Sequence, residues 1–165
     1  LDRSRFDPAF TASSCVLPQE NGFRMWYLSG LAWEPRPEGL RHRYHIKSAD
    51  SRDGIDWTRT GHVCIDFQSP DEYAISRPCV IKSLESYRMW YSYRGDRYRI
   101  GYAESPDGLS WQRFDHRAGI EVSGSDWDSE MICYPFVFEH RGARYLLYNG
   151  NGYGATGIGL AVQPL

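Results

Sequence analysis

Long apolar runs, a basic surplus, metal-ligand spacings and a nucleotide loop are all missing from this chain, and each absence removes a class of function. No stretch approaches the roughly 20 consecutive apolar residues that a membrane-spanning helix needs, and the N-terminal residues carry no signal-peptide pattern. A soluble chain in a cytoplasmic setting, without a membrane partner, is therefore expected. Nineteen Lys and Arg stand against 21 Asp and Glu, a formal net charge of −2. A nucleic-acid binder would show a basic excess, so nucleic acid is not an expected partner. His42, His45, His62, His116 and His140 fall at no recognised ligand spacing and there is no CxxC pair, so neither a metal nor another cofactor is expected. Gly150, Gly152 and Gly154 precede no Lys-Ser/Thr and no helical pattern, which argues against a phosphate loop.

Cysteine is also sparse. Cys15 and Cys79 take equivalent places in two repeats, which suits small buried hydrophobes better than disulfide halves. Reduced, buried thiols are expected, in keeping with a cytoplasmic compartment.

What the chain does have is aromatic and repetitive. Of its 165 residues 41% are hydrophobic and 15% aromatic, with 16 Gly and 9 Pro, a composition for many strands and turns around a real core. In Arg88–Trp111, RMWYSYRGDRYRIGYAESPDGLSW, alternating residues on either side of Gly95-Asp96 predict a β-hairpin, and Pro106-Asp107-Gly108 predicts a further turn before Trp111. Upstream, Arg24-Met25-Trp26-Tyr27 and Asp53-Gly54-Ile55-Asp56-Trp57 repeat this unit; downstream, Tyr145-Leu146-Leu147-Tyr148 and Gly157-Ile158-Gly159-Leu160-Ala161 repeat it again. Cys15-Val16-Leu17, Cys79-Val80-Ile81 and Phe136-Val137-Phe138 lead into the three units.

Repeats of roughly 55 residues with up to four short strands predict propeller blades. The expected fold is an all-β propeller fragment in a single domain over 1–165, with blades at about 15–65, 78–120 and 135–165. Ala32–Arg41, with Pro35 and Pro37, is expected to be a long loop, since proline is excluded from central strands. The third repeat lacks an outermost strand, and a propeller ring needs about four to eight blades. Completion by self-association, most simply a two-fold dimer, is expected, since open strand edges attract partners.

These segments resemble a known group. Strand pairs of the RMWYSYRGDRYRIGYAESPDGLSW type look like the blades of the five-bladed glycoside hydrolase propellers, the arabinanase, xylosidase, invertase and levansucrase type, family 43-like. The chain would correspond to the last three blades. SDWDSEMICYPFVFEHRGARYLLYNGNGYGATGIGLAV is similar to bacterial and plant propeller domains linked to glycan or glycolipid biosynthesis. The resemblance implies carboxylates at the starts of innermost strands, facing a central channel, where one protonates the leaving oxygen and the other activates water or attacks. Two positions depart from that pattern. Where invertase-like members carry Arg-Asp-Pro this chain has Ser76-Arg77-Pro78, and where a Glu usually stands two residues ahead of a proline it has Cys133, with Glu130 five ahead.

The candidate site therefore combines Asp128 or Glu130 as acid with Asp71 or Glu72 as partner. Arg77, Trp127, Tyr134, Asn149, Asn151 and Tyr153 are its candidate contacts to a carbohydrate. The same residues could instead cap turns, pair ions and pack between blades. Two classes stay open: an enzyme acting on glycosidic bonds, and a non-catalytic propeller that binds a glycan or assembles with a partner. Two carboxylates about 5 to 9.5 Å apart in an open cleft would favour the first; salt-bridged ones would favour the second.

Overall fold

A computed structural model describes residues 1–165 and contains eleven strands. The first unit is an antiparallel run of β1 (Phe10–Gln19), β2 (Gly22–Arg36), β3 (Gly39–Ser51) and β4 (Trp57–Ile65). The second is β5 (Ala74–Lys82), β6 (Tyr87–Arg94), β7 (Tyr98–Ser105) and the two-residue β8 (Gln112–Arg113). The third is β9 (Cys133–His140), β10 (Ala143–Asn149) and β11 (Ile158–Pro164). The protein is an all-β propeller fragment of three repeats. No helix is long and apolar enough to cross a membrane.

The repeats share their chemistry as well as their shape. Between β3 and β4 the Asp53 carboxylate accepts the N–H groups of Ile55 (2.8 Å) and Asp56 (2.9 Å), while Ser51 Oγ accepts that of Gly54 (2.9 Å). Between β7 and β8, Asp107 binds Leu109 (2.8 Å) and Ser110 (2.7 Å), and Ser105 binds Gly108 (2.8 Å), in the same way. Side-chain oxygens thus satisfy backbone donors that a tight turn would otherwise strand. Trp26 of the first unit donates its indole N–H to the Gly108 carbonyl of the second at 2.8 Å, so the turn between β7 and β8 also serves as an inter-blade contact.

Strand β6 is buried on both faces because the second unit lies between the first and the third. Strands β2 and β3 meet the second unit on one face and the segment around Phe6 and Asp7 on the other, where Tyr27 donates to Asp7 and Lys47 to the Phe6 carbonyl. Trp26, Ile46, Ile75, Met89 and Tyr91 fill the space between the first and second units; Trp90, Tyr102, Ile132, Val137 and Leu146 fill that between the second and third. The four cysteines are free, three of them buried. Cys15 Sγ accepts the Val80 N–H at 3.4 Å, and Cys79 Sγ accepts that of Val137 at 3.1 Å, so equivalent thiols meet the next innermost strand identically. Phe136 holds the corresponding place in the third unit and is 59% exposed, with Leu160 and Val162 also exposed on that unit.

One expectation is corrected. Ala32–Arg41 is not a loop but the extended end of the β2–β3 hairpin, in register from Ala32↔Arg43 to Arg36↔Gly39 with Pro35 opposite Leu40. Strand β1 pairs with β2 only as far as Gly30. Beyond that point β2 is an edge, where a proline's missing N–H breaks no ladder bond.

Candidate functional site

The innermost strand of every unit is interrupted at the same point. Pairing slips between Ala12 and Ser14 on β1, between Ser76 and Cys79 on β5, and opposite Leu147 and Asn149 on β9. At each slip one non-glycine residue takes a left-handed backbone: Ser13 (φ +43°), Arg77 (φ +53°) and Tyr134 (φ +59°). Their contexts, Ala12-Ser13-Ser14-Cys15, Ser76-Arg77-Pro78-Cys79 and Cys133-Tyr134-Pro135-Phe136, are equivalent in the repeat. A bulge bends its strand and re-aims a side chain. A left-handed non-glycine residue costs of order 1–3 kcal/mol and persists only where its surroundings hold it. One such support is the Tyr134 N–H, which donates to Ser92 Oγ of the second unit at 2.7 Å.

The three re-aimed side chains open into one cleft of about 310 Å³. Its floor is the buried pair Leu28 and Tyr44, and Phe10, Trp33 and His42 form its aromatic wall. Phe10 lies 5.4 Å from Trp33 and 5.9 Å from Tyr44, and His42 stacks on Tyr44 at 5.0 Å. Trp33 and His42 come from the extended hairpin, and Trp33 is 53% exposed. The Arg77 guanidinium sits 4.7 Å above the Tyr134 ring, which stacks in turn on Tyr153 at 6.3 Å. Arg94 donates to the Tyr153 hydroxyl at 2.8 Å.

No carboxylate lines this cleft. Burial, reinforced by the nearby Arg94 charge, holds His42 below the usual histidine range, so its ring is neutral near pH 7. Burial pushes the Tyr44 and Tyr134 phenols up to about 12, which keeps both as hydrogen-bonding groups rather than phenolates.

The candidate residues from sequence divide sharply. Arg77 and Tyr134 line the cleft, and Tyr153 adjoins them. Asp128 is buried and accepts a hydrogen bond from Tyr148 at 2.9 Å. Glu72 is buried and takes both Arg113 Nη1 (2.8 Å) and Nη2 (3.1 Å). These two carboxylates face the blade interior, because burying them requires a partner and the strand Tyr and Arg provide it. Glu130 is exposed, 3.4 Å from Arg97, and Asp71 is exposed beside the Gly95 turn. No pair of these four converges in the cleft.

Trp127 stacks on Tyr148 at 5.6 Å and lies so close over Gly150 and Gly159 that a Cβ there would come within 2.4 and 2.6 Å of its ring. It is a packing residue of the third unit, not a platform in the cleft. Asn151 is likewise committed: its Oδ1 accepts the N–H groups of Glu130 (2.8 Å) and Met131 (3.1 Å), and its Nδ2 donates to the Asp126 carbonyl (3.2 Å). Asn149 donates to the Tyr153 carbonyl at 2.8 Å. Together they staple the β10–β11 turn to the segment leading into β9.

Sequence reasoning missed Phe10, Ser13, Trp33, His42 and Tyr44. Ser13 was within reach, since the repeat register sets it opposite Arg77. Trp33 and His42 were hidden by the prolines between them, which read as a loop.

No protein family profile matches the chain. An uncharacterized protein of Mycobacterium tuberculosis is 46% identical over 156 residues, which covers 94% of this chain and 52% of that protein. A glycoside hydrolase structure superposes with a TM-score of 0.75 at 20% identity, over 99% of this chain and 49% of its own. A family 117 glycoside hydrolase of the marine bacterium Zobellia galactanivorans superposes with a TM-score of 0.76 at 20% identity, over 98% of this chain and 55% of its own. The chain spans about half the length of the curated relative it matches, and its fold is that of glycoside-hydrolase-like propellers.

Proposed function

We propose that this chain recognises a carbohydrate in the cleft formed by its three strand bulges, as the binding portion of a glycoside-hydrolase-like propeller. The observation that carries the reading is the convergence of Ser13, Arg77 and Tyr134 on an aromatic-walled cleft. Sugar rings pack their apolar faces on aromatic side chains, and Trp33 and Phe10 offer such faces. Sugar hydroxyls need hydrogen-bond partners, and Ser13, Arg77 and Tyr134 supply them at the cleft, with the largely buried Ser76 lining it behind them. The likeness to glycoside hydrolase folds agrees with this chemistry without deciding it.

Recognition fits these residues better than cleavage. Glycoside hydrolysis needs two carboxylates across one bond; Glu72 and Asp128 are occupied inside the blades, and Glu130 pairs with Arg97. A kinship with five-bladed members, this chain matching the last three blades, belongs to the same proposal.

The test is titration of neutral and acidic monosaccharides and short glycans, followed by calorimetry and by tryptophan fluorescence. Binding by the wild type, weakened at least fivefold in Trp33→Ala and unchanged in Glu130→Gln, is expected. Equal affinity of Trp33→Ala and wild type would remove the cleft from the binding site.

A further inference from the structure

We propose that the sugar taken by this cleft carries a negatively charged substituent, a carboxylate or a sulfate or phosphate ester, seated on Arg77. The proposal rests on the carbohydrate reading above and narrows it to a class of ligand.

Arg77 is exposed, stands in a strained left-handed backbone at the cleft, and forms no ion pair. Glu34, on the hairpin that carries Trp33, is already bound to Arg36, Arg41 and Arg43, and Glu130 is bound to Arg97. The cleft therefore holds an uncompensated cation with no carboxylate among its lining residues. Tyr134 orients the guanidinium from below by a cation–π contact, which fixes its plane and leaves its N–H edge free. A planar guanidinium with a free edge matches the paired oxygens of a carboxylate, sulfate or phosphate.

The neighbouring groups favour the same ligand. Ser13, at the repeat-equivalent bulge, and Ser76, adjacent in sequence, contribute hydroxyls at the cleft; with the Tyr134 phenol they can all donate. A rim of donors around one free cation is complementary to an acceptor-rich anion and poorly matched to a cationic or basic sugar. Arg94, which bonds to Tyr153 beside Tyr134, has a buried Nε without a partner and adds positive potential next to the site. A neutral sugar would leave the Arg77 charge uncompensated in the complex.

The experiment compares glucose, glucuronic acid, glucose 6-phosphate and glucose 6-sulfate by calorimetry on the full chain, with inorganic sulfate and phosphate as controls. Expected is at least tenfold tighter binding of one or more acidic sugars than of glucose, weakened by added salt and reduced about tenfold in Arg77→Gln. Arg77→Lys should keep part of the preference, since it retains the charge while losing the planar fork. The pattern across the three acidic sugars identifies the substituent. Equal affinity for glucose and every acidic sugar would overturn the anionic class while leaving the carbohydrate reading intact. Inorganic anions binding as tightly as the acidic sugars would also overturn it, and no binding of any sugar would overturn both. Arg77→Gln with undiminished acidic-sugar affinity would remove Arg77 from the site.

Discussion

Tyr148 donates a hydrogen bond to buried Asp128 at 2.9 Å, and it does so from the same repeat position from which Tyr27 donates to buried Asp7 at 3.1 Å. The two contacts are one device used twice: a strand tyrosine holds the connection that leads into its blade. In the second unit the equivalent tyrosine, Tyr91, bonds instead to Asp115, which Arg113 also holds together with Glu72. Acidic residues ahead of each innermost strand therefore serve first as anchors of the fold.

Asp128→Ala should lower stability by about 1–3 kcal/mol, because it leaves the Tyr148 hydroxyl buried without a partner. Asp128→Asn retains an acceptor and should cost less. Glu130→Gln, at an exposed position, should stay within about 0.5 kcal/mol of wild type. Urea denaturation of the three variants measures this directly, and an Asp128→Ala midpoint equal to wild type would show that the pair does not anchor the blade. A double-mutant cycle with Tyr148→Phe isolates the coupling.

The thiols give a second prediction. Burial pushes Cys79 up to about 11 and Cys64 and Cys133 up to about 12, and it raises Cys15 as well. The thiolate is the reactive form, so all four should alkylate slowly at pH 8 in the folded protein. Cys15, the least buried, should be modified first, and the others only in denaturant. Peptide mass spectrometry after timed iodoacetamide treatment gives the order; early labelling of Cys133 would contradict the packing at the start of β9.

Much of the fold was legible because the repeats conserve contacts rather than mere patterns. Asp53-Gly54 and Asp107-Gly108 form the same turn bonds, and Trp26 and Trp90 are both buried between units. The site was less legible for a reason that lies in strand geometry. Side-chain direction in a strand has a period of two, so a single-residue bulge reverses which face the neighbouring residues take. With bulges at Ser13, Arg77 and Tyr134, alternation could not say that Arg77 opens outward while Asp128, a few residues ahead of the third bulge, turns in. Likewise Pro35 and Pro37 suggested a loop because a sequence does not reveal that β2 runs past the end of β1 and becomes an edge. Trp127 reads as a sugar platform until Gly150 and Gly159 are found beneath its ring.

The third prediction concerns pH. His42 and His45 are both held below the usual histidine range, chiefly by burial; for His45 the Asp66 carboxylate 3.0 Å from Nδ1 opposes that shift without cancelling it. His45 Nε2 is buried without a partner, so protonation would strand a charged donor there. An unfolded chain takes up these protons near the ordinary value of about 6.5, while the folded chain resists until a lower pH. Between those two values the unfolded state binds more protons, so stability rises with pH across that window. The histidine contribution should be constant above about pH 7 and should fall as pH drops through about 6.5, with a ceiling of about 1.4 kcal/mol per pH unit for buried His45 and less for the half-exposed, solvent-screened His42. The carboxylates held low, Asp53 by the Ile55 and Asp56 N–H groups and Asp107 by those of Ser110 and Leu109, lose their contribution only below about pH 4, so the two effects separate. Urea midpoints measured from pH 8 to pH 5 should trace the first decline, and His45→Gln should flatten part of it. A midpoint that does not move between pH 7 and pH 5 would mean that both imidazoles protonate as readily in the fold as in water.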